Sequence, residues 1–167
     1  MNSFWQNKKI VVTGGSGFIG RHLVDALIKE KNVQEKNIII PLQERYDLLK
    51  FENCLEVTRN ADLLIHLAAV VGGIEYNRLH PGEVYYKNIM MNTQILEAAR
   101  INGVGKTLLV SSACAYPLKA PVPLKESYLF EGEPEFTNSP YGFAKLMMLV
   151  FSFLTHTICV HEPRAPP

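Results

Sequence analysis

Tyr141 and Lys145, in the segment SPYGFAK, stand four residues apart in a stretch of helical period and so share one face. An ammonium beside a phenol favours phenolate and draws its pKa from about 10 toward neutrality. A tyrosine tuned in this way can give a proton to, or take one from, a carbonyl or alcohol oxygen during hydride transfer. A second reactive segment lies near the start of the chain, where VTGGSGFIG follows an apolar run and opens a helical one. It reads either as Gly15-x-Gly17-x-x-Gly20 or as Gly14-x-x-Gly17-x-x-Gly20. Glycines so spaced let the backbone turn sharply and let a pyrophosphate approach without meeting a Cβ, while the following helix offers its N–H groups to the phosphates. A third segment, SSACAYP, puts Cys114 two residues after Ser112 and two before Tyr116. A thiol has a reference pKa of about 8.5 and becomes a proton carrier near neutrality when a cation or dipole lowers it; elsewhere it serves as a small buried apolar group.

These residues need elements to bring them together. Short β-branched runs alternate with longer stretches of helical period, the pattern of βαβ units on a parallel sheet. KKIVVTG predicts a first strand, and GFIGRHLVDALIKEK a helix with Ile19, Leu23, Leu27 and Ile28 on one face. NIIIP predicts a second strand, apolar throughout as a strand covered on both faces should be. A short helix at FENCLEVT and a third strand at ADLLIHLAA follow. A long helix over PGEVYYKNIMMNTQILEAARINGVG is opened by Pro81 and closed by Gly103. KTLLVSS gives a fourth strand, SPYGFAKLMMLVFSFLTH a last helix, and TICV a short fifth strand. Strand ends of such a sheet gather at one edge, where the glycine turn, the serines and the Tyr/Lys helix would meet. The expected fold is therefore α/β, a Rossmann-type doubly wound parallel sheet over residues 1–160 with a proline-rich tail at 161–167. The order of elements ends where such a sheet still wants a last strand or two, so the expectation is a truncated fold without a C-terminal substrate domain.

Composition narrows the function classes. The 167 residues are 47% hydrophobic and 20% charged with a net charge of +1, which fits one globular domain and no nucleic-acid partner. Cys54, Cys114 and Cys159 are odd in number and widely spaced, arguing against a disulfide framework and a structural zinc site and for a reducing, cytoplasmic setting. No signal peptide precedes the first strand, and Lys145, Ser152, Thr155, His156 and Thr157 interrupt the most apolar segment, which predicts an interface helix and no membrane partner. After the second strand, Glu44 suits a free ribose and Arg45 a 2′-phosphate; both also read as solvated loop charges. His66 reads as a strand-end packing residue, the pairs Met90/Met91 and Met147/Met148 as core or interface, and Cys54 and Cys159 as buried apolar groups; His156 and His161 receive no role.

Taken together, TGGSGFIG, HLAA at 66–69, KNIMMNTQILEAA, SSxxxYP and YxxxK resemble the extended short-chain dehydrogenase/reductase superfamily, the NAD-dependent epimerase/dehydratases, which act mainly on nucleotide-activated sugars. Within it, HLAAVVGGIEYN and SSACAYP are most similar to the GDP-L-fucose synthase type, with the GDP-mannose 3,5-epimerase type second. The resemblance runs from about Lys9 to Lys145. It implies that Gly14, Gly15, Ser16, Gly17, Phe18, Ile19 and Gly20 hold the pyrophosphate, that Asp47 and Leu48 flank the adenine, and that Leu67, Ala68 and Ala69 form the strand end beneath the cofactor. Arg45, Asn88 and Ser111 complete the cofactor set with Tyr141 and Lys145. The catalytic set it implies is Ser112 on the sugar oxygen, Cys114 as proton carrier, Tyr141 as general acid/base and Lys145 on the nicotinamide ribose. Gly72 and Gly73 would admit the substrate, a GDP-sugar. The implied cofactor is NADP, with NAD open because Leu42 and Gln43 stand where NADPH-using relatives often carry arginine. A homodimer through the two long helices is also implied, on the face of Leu146, Leu149, Val150 and Phe153. Three functions follow: a GDP-L-fucose synthase type enzyme or a fragment of one, a GDP-mannose 3,5-epimerase, or a non-catalytic dinucleotide-binding module.

Overall fold

The computed structural model describes residues 3–5 and 7–154. The expected strand TICV, the tail at 161–167, Cys159, His156 and His161 lie outside them. Four strands form one parallel sheet: β1 (Ile10–Thr13), β2 (Ile38–Ile39), β3 (Leu63–His66) and β4 (Lys106–Leu109), in the order β2-β1-β3-β4. Between them run α1 (Phe18–Lys29), α2 (Phe51–Thr58), α3 (Ile74–Leu79) and α4 (Pro81–Ile101), and α5 (Ser139–Leu154) follows β4. Thr13 pairs with His66 and His66 with Leu109, so the carboxyl ends of the three strands are level. After β1 the chain steps outward to β2 and then returns to the other side of β1 for β3. The crevice between the ends of β1 and β3 is the switch point at which doubly wound sheets take ligands.

Alternation along the strands builds both faces. Ile10, Val12, Leu63 and Ile65 point to one side and pack with Leu27, Val33 and the half-buried Leu23 and Val24 of α1. Val11 and Leu64 point to the other, against Cys54 and Val57 of α2, Met91, Ile95, Leu96, Ala98 and Ala99 of α4, and Met148 of α5. Pro81 occupies the first turn of α4, and Gly103 follows its end with φ +65°, a left-handed conformation that costs glycine nothing.

Four expectations need correction. The strand over NIIIP is only Ile38–Ile39 and both residues are half-buried, because β2 is an edge strand with one neighbour. Ile19 does not join the packed face of α1: it is 65% exposed beside Phe18 at 75%, and Val24 takes the inward place. Gly72 and Gly73 lead directly into α3, which sequence period did not reveal. On α5, Leu146 and Leu149 are already covered by Ala115 and Leu129 of the same chain, since the segment after β4 folds back over the helix. Of the expected dimer face, Val150 stays half-buried and Phe153 exposed.

Candidate functional site

The glycine turn is shaped by close approach. Gly14 has φ +69°, and a Cβ there would lie 2.8 Å from the Ala68 nitrogen; one on Gly20 would collide with the Gly14 carbonyl oxygen. The left-handed residue is Gly14, which favours the Gly14-x-x-Gly17-x-x-Gly20 reading. Phe18 and Ile19 begin α1, so their backbone N–H groups have no acceptor within the helix. Ser16 and Gly17 are exposed beside them. A bare cradle of N–H groups at a helix start, floored by Ala68, suits a pyrophosphate.

Around this turn the other candidates divide. Asn88 fixes the loop after β3: its Oδ1 accepts from the Val70 N–H (3.0 Å) and its Nδ2 donates to the Val70 carbonyl (2.8 Å). Ala68 donates its N–H to Thr13 Oγ1, and Leu67 to the Thr13 carbonyl. Ala69 is half-buried at the same edge. Gly15 is buried, its Cα turned toward the Ile40 side chain. Arg45 is exposed and lies over the Tyr46 ring, 5.1 Å from its centroid; Asp47 accepts from the Leu49 N–H. The Leu48 side chain sits in the core with Val11 and Cys54, so it is the backbone at this position that faces outward. The buried Ser111 Oγ has no protein partner, an orphan group at the end of β4 of the kind a ligand satisfies.

Ser112, Cys114, Tyr141 and Lys145 meet at that end of the sheet. Ser112 Oγ accepts from the Cys114 N–H (3.2 Å), capping a short 3₁₀ turn at Ala113–Ala115 and leaving its hydroxyl proton free to donate. Cys114 is a half-buried free thiol near Tyr141. Lys145 is 2% exposed, donates to the Val110 carbonyl (2.9 Å) and lies 5.8 Å from the centroid of the Tyr141 ring. Burial lowers the Lys145 ammonium to about 8. The expected lowering of Tyr141 is overturned: burial first and Cys114 second push its phenol up. The physical reason is that burial makes the half-buried Tyr141 anion costly and Cys114 adds to it, while the Lys145 ammonium sits on the Val110 carbonyl, 5.8 Å from the ring centroid. A phenol kept protonated in this way is suited to donating a proton.

Three structural features escaped sequence reasoning. Gly142 lets α5 touch the 3₁₀ turn, because a Cβ there would collide with the Cys114 carbonyl oxygen. A glycine inside the helical pattern YGFAK was the available signal. Asn77 of α3 is buried and donates to Asn138 Oδ1 (3.0 Å), while Asn138 donates through N and Nδ2 to Glu135, tying the Gly72–Gly73 loop to the start of α5. His66 is held between Thr13 and Asn92, and burial drives its pKa down to about 4, so the ring is neutral. Its adjacency to a strand end gave no hint of either partner. Among the described residues no group of His, Cys, Asp and Glu could hold a metal, and no helix is long and apolar enough to cross a membrane.

A model of the NAD dependent epimerase/dehydratase family matches residues 10–151. The chain belongs to that family. GDP-mannose 3,5-epimerase 1 of Oryza sativa subsp. indica is 34% identical over 175 residues, covering 95% of this chain and 44% of the relative. The probable GDP-L-fucose synthase of Drosophila melanogaster is 30% identical over 151 residues, covering 89% and 47%. A solved GDP-L-fucose synthetase from Naegleria fowleri bound to NADP superposes with a TM-score of 0.77 at 30% identity, covering 90% of this chain and 45% of that one. The chain thus spans under half the length of these family members.

Proposed function

We propose that this chain is the dinucleotide-binding half of a nucleotide-sugar epimerase/reductase of the GDP-L-fucose synthase type, acting on a GDP-linked 4-keto-6-deoxy sugar. The observation that carries the reading is the meeting of Cys114, Ser112 and a protonated Tyr141 at the carboxyl end of β4, beside the orphan Ser111 hydroxyl. The glycine turn would hold the pyrophosphate of NADP, Ser111 and Lys145 would hold the nicotinamide ribose, and Arg45 would be the cation available to a 2′-phosphate. The nicotinamide, when bound, supplies a hydride to the ketone carbon.

The chain's own residues handle the protons. A C–H next to the ketone is acidified, and Cys114 removes or returns its proton while Ser112 and Tyr141 donate hydrogen bonds to the oxygen that gains charge. Epimerisation breaks and remakes the same C–H bond with inversion, so it needs a second acid on the opposite face. In the reduction, Tyr141 gives its phenolic proton to the ketone oxygen. Loss of a positioned proton donor costs roughly 10²–10⁴-fold, so Tyr141→Phe should abolish NADPH consumption with the 4-keto sugar while leaving NADPH binding intact. An unchanged rate would remove Tyr141 from the mechanism.

The rice relative, at 34% identity, favours a second reading, a GDP-mannose 3,5-epimerase, in which NAD stays bound and no net redox change occurs. Identifying the nucleotide released on denaturation separates the two readings. Cofactor binding without turnover would instead mark a non-catalytic module. The reading includes a homodimer through α4 and α5, now on the outward Tyr86, Phe143 and Phe153, and a reducing cytoplasm that keeps Cys54 and Cys114 free.

A further inference from the structure

A buried chain of polar groups crosses the molecule beneath the site and is absorbed by none of the roles above. Thr13 ends β1, His66 ends β3 and Asn92 lies in the middle of α4, and all three are fully buried. Ala68 donates its N–H to Thr13 Oγ1 (3.2 Å), Thr13 Oγ1 lies 2.7 Å from His66 Nδ1, His66 Nε2 lies 3.0 Å from Asn92 Oδ1, and Asn92 Nδ2 donates to the Ala144 carbonyl (3.2 Å). The two ends fix the protons in between. A carbonyl only accepts, so Asn92 turns its amide nitrogen to Ala144 and its oxygen to His66, which must then carry its proton on Nε2. Nδ1 accepts the Thr13 hydroxyl proton, and the Thr13 oxygen keeps a lone pair for the Ala68 N–H.

Every bond in the chain therefore runs in one direction, from the Thr13 and Ala68 contact at the switch point to the residue just before Lys145. Ala68 is also the surface on which Gly14 rests. Apolar side chains of similar volume would fill these three positions at little cost in stability, whereas a fully satisfied polar chain selects one arrangement of the elements it joins. We infer that His66 and Asn92 are positioning residues that hold the helix carrying Tyr141 and Lys145 in register with the strand end receiving the dinucleotide. The inference rests on the dinucleotide-binding reading above.

The test uses the full chain with NADPH as probe. Nitrogen-15 NMR of the histidine ring should show His66 as the Nε2–H form, and NADPH should shift the Ala144 amide. Asn92→Leu should reduce that shift at least threefold, lower kcat at least tenfold and leave the NADPH dissociation constant and the KM for the sugar within threefold. Asn92→Asp, which keeps the acceptor for His66 and loses the donor to Ala144, serves if Asn92→Leu does not fold. An Nδ1–H form of His66, or an Ala144 shift and kcat unchanged by either variant, would overturn the inference. A wild-type chain that binds NADPH and turns nothing over would refute the enzymatic reading alone, and the tautomer and the shift would still decide this one.

Discussion

Replacing Gly142 with alanine should reverse the sign that helix propensity predicts. In an unconstrained helix, glycine to alanine stabilises by about 1 kcal/mol. At Gly142 the new Cβ collides with the Cys114 carbonyl oxygen and comes within 3.1 Å of the Cys114 carbonyl carbon and of Pro134 Cβ. Two of these neighbours are backbone atoms, so relief requires α5 and the 3₁₀ turn to part by about 1 Å to reach ordinary van der Waals separation. Overpacking of this kind costs about 1–3 kcal/mol, which offsets or outweighs the propensity gain and leaves a net loss of up to about 2 kcal/mol. For a chain of this size a loss of about 2 kcal/mol is a fall in Tm of about 4–8 °C. Tyr141 is the neighbour of Gly142, so the same displacement should cost turnover about 10²-fold. Gly82, in the first turn of α4, has no atom within 4 Å of its Cβ position and provides the internal control: Gly82→Ala should be neutral or stabilise by up to about 1 kcal/mol. Thermal melts of the two variants beside the wild type decide the matter. A Tm for Gly142→Ala equal to or above that of Gly82→Ala would refute the close-approach argument.

Other consequences follow from buried titratable groups. His66 titrates at about 4 in the fold against an ordinary 6.5, so the unfolded chain binds the extra proton first. Stability is then fully present above pH 6.5 and lost as pH falls toward 4; at about 1.4 kcal/mol per pH unit the loss is about 3 kcal/mol. Urea denaturation between pH 7 and 4 should show this slope and His66→Gln should flatten it; a wild-type curve level across that window would contradict it. Cys54 is fully buried and its thiol is pushed up to about 12 by burial, so peptide mapping after iodoacetamide should find Cys54 unmodified in the folded chain and Cys114 modified before it. Labelling of Cys54 ahead of Cys114 would show that the α2 packing is wrong.

Sequence reading succeeded where one residue type admits one backbone or one partner. Pro81, Gly103 and the glycine turn marked element ends because left-handed or donor-free positions leave few alternatives, and the TGG, HLAA and YxxxK motifs located the edge of the sheet. It failed where contacts come from residues far apart in the chain. The apolar face of α5 looked free because nothing in SPYGFAKLMMLVFSF announces that Ala115 and Leu129 fold over it. The tuning of Tyr141 by Lys145 followed from helical spacing alone, and spacing carries no information about the Val110 carbonyl that takes the ammonium. His66 is the buried strand-end residue the sequence suggested, but its Thr13 and Asn92 partners lie 53 and 26 residues away and spacing does not reveal them.

The account's central claim is that the glycine turn and the carboxyl ends of β1, β3 and β4 form a nicotinamide-dinucleotide site beside Cys114 and Tyr141. Fluorescence titration of the purified chain with NADPH and with NADH, followed by a GDP-sugar, tests it most directly. The account predicts saturable one-to-one binding of at least one of the two nucleotides, lost in Gly20→Ala because that Cβ would close the turn against Gly14. Absence of binding for both nucleotides, or equal binding by Gly20→Ala, would contradict it.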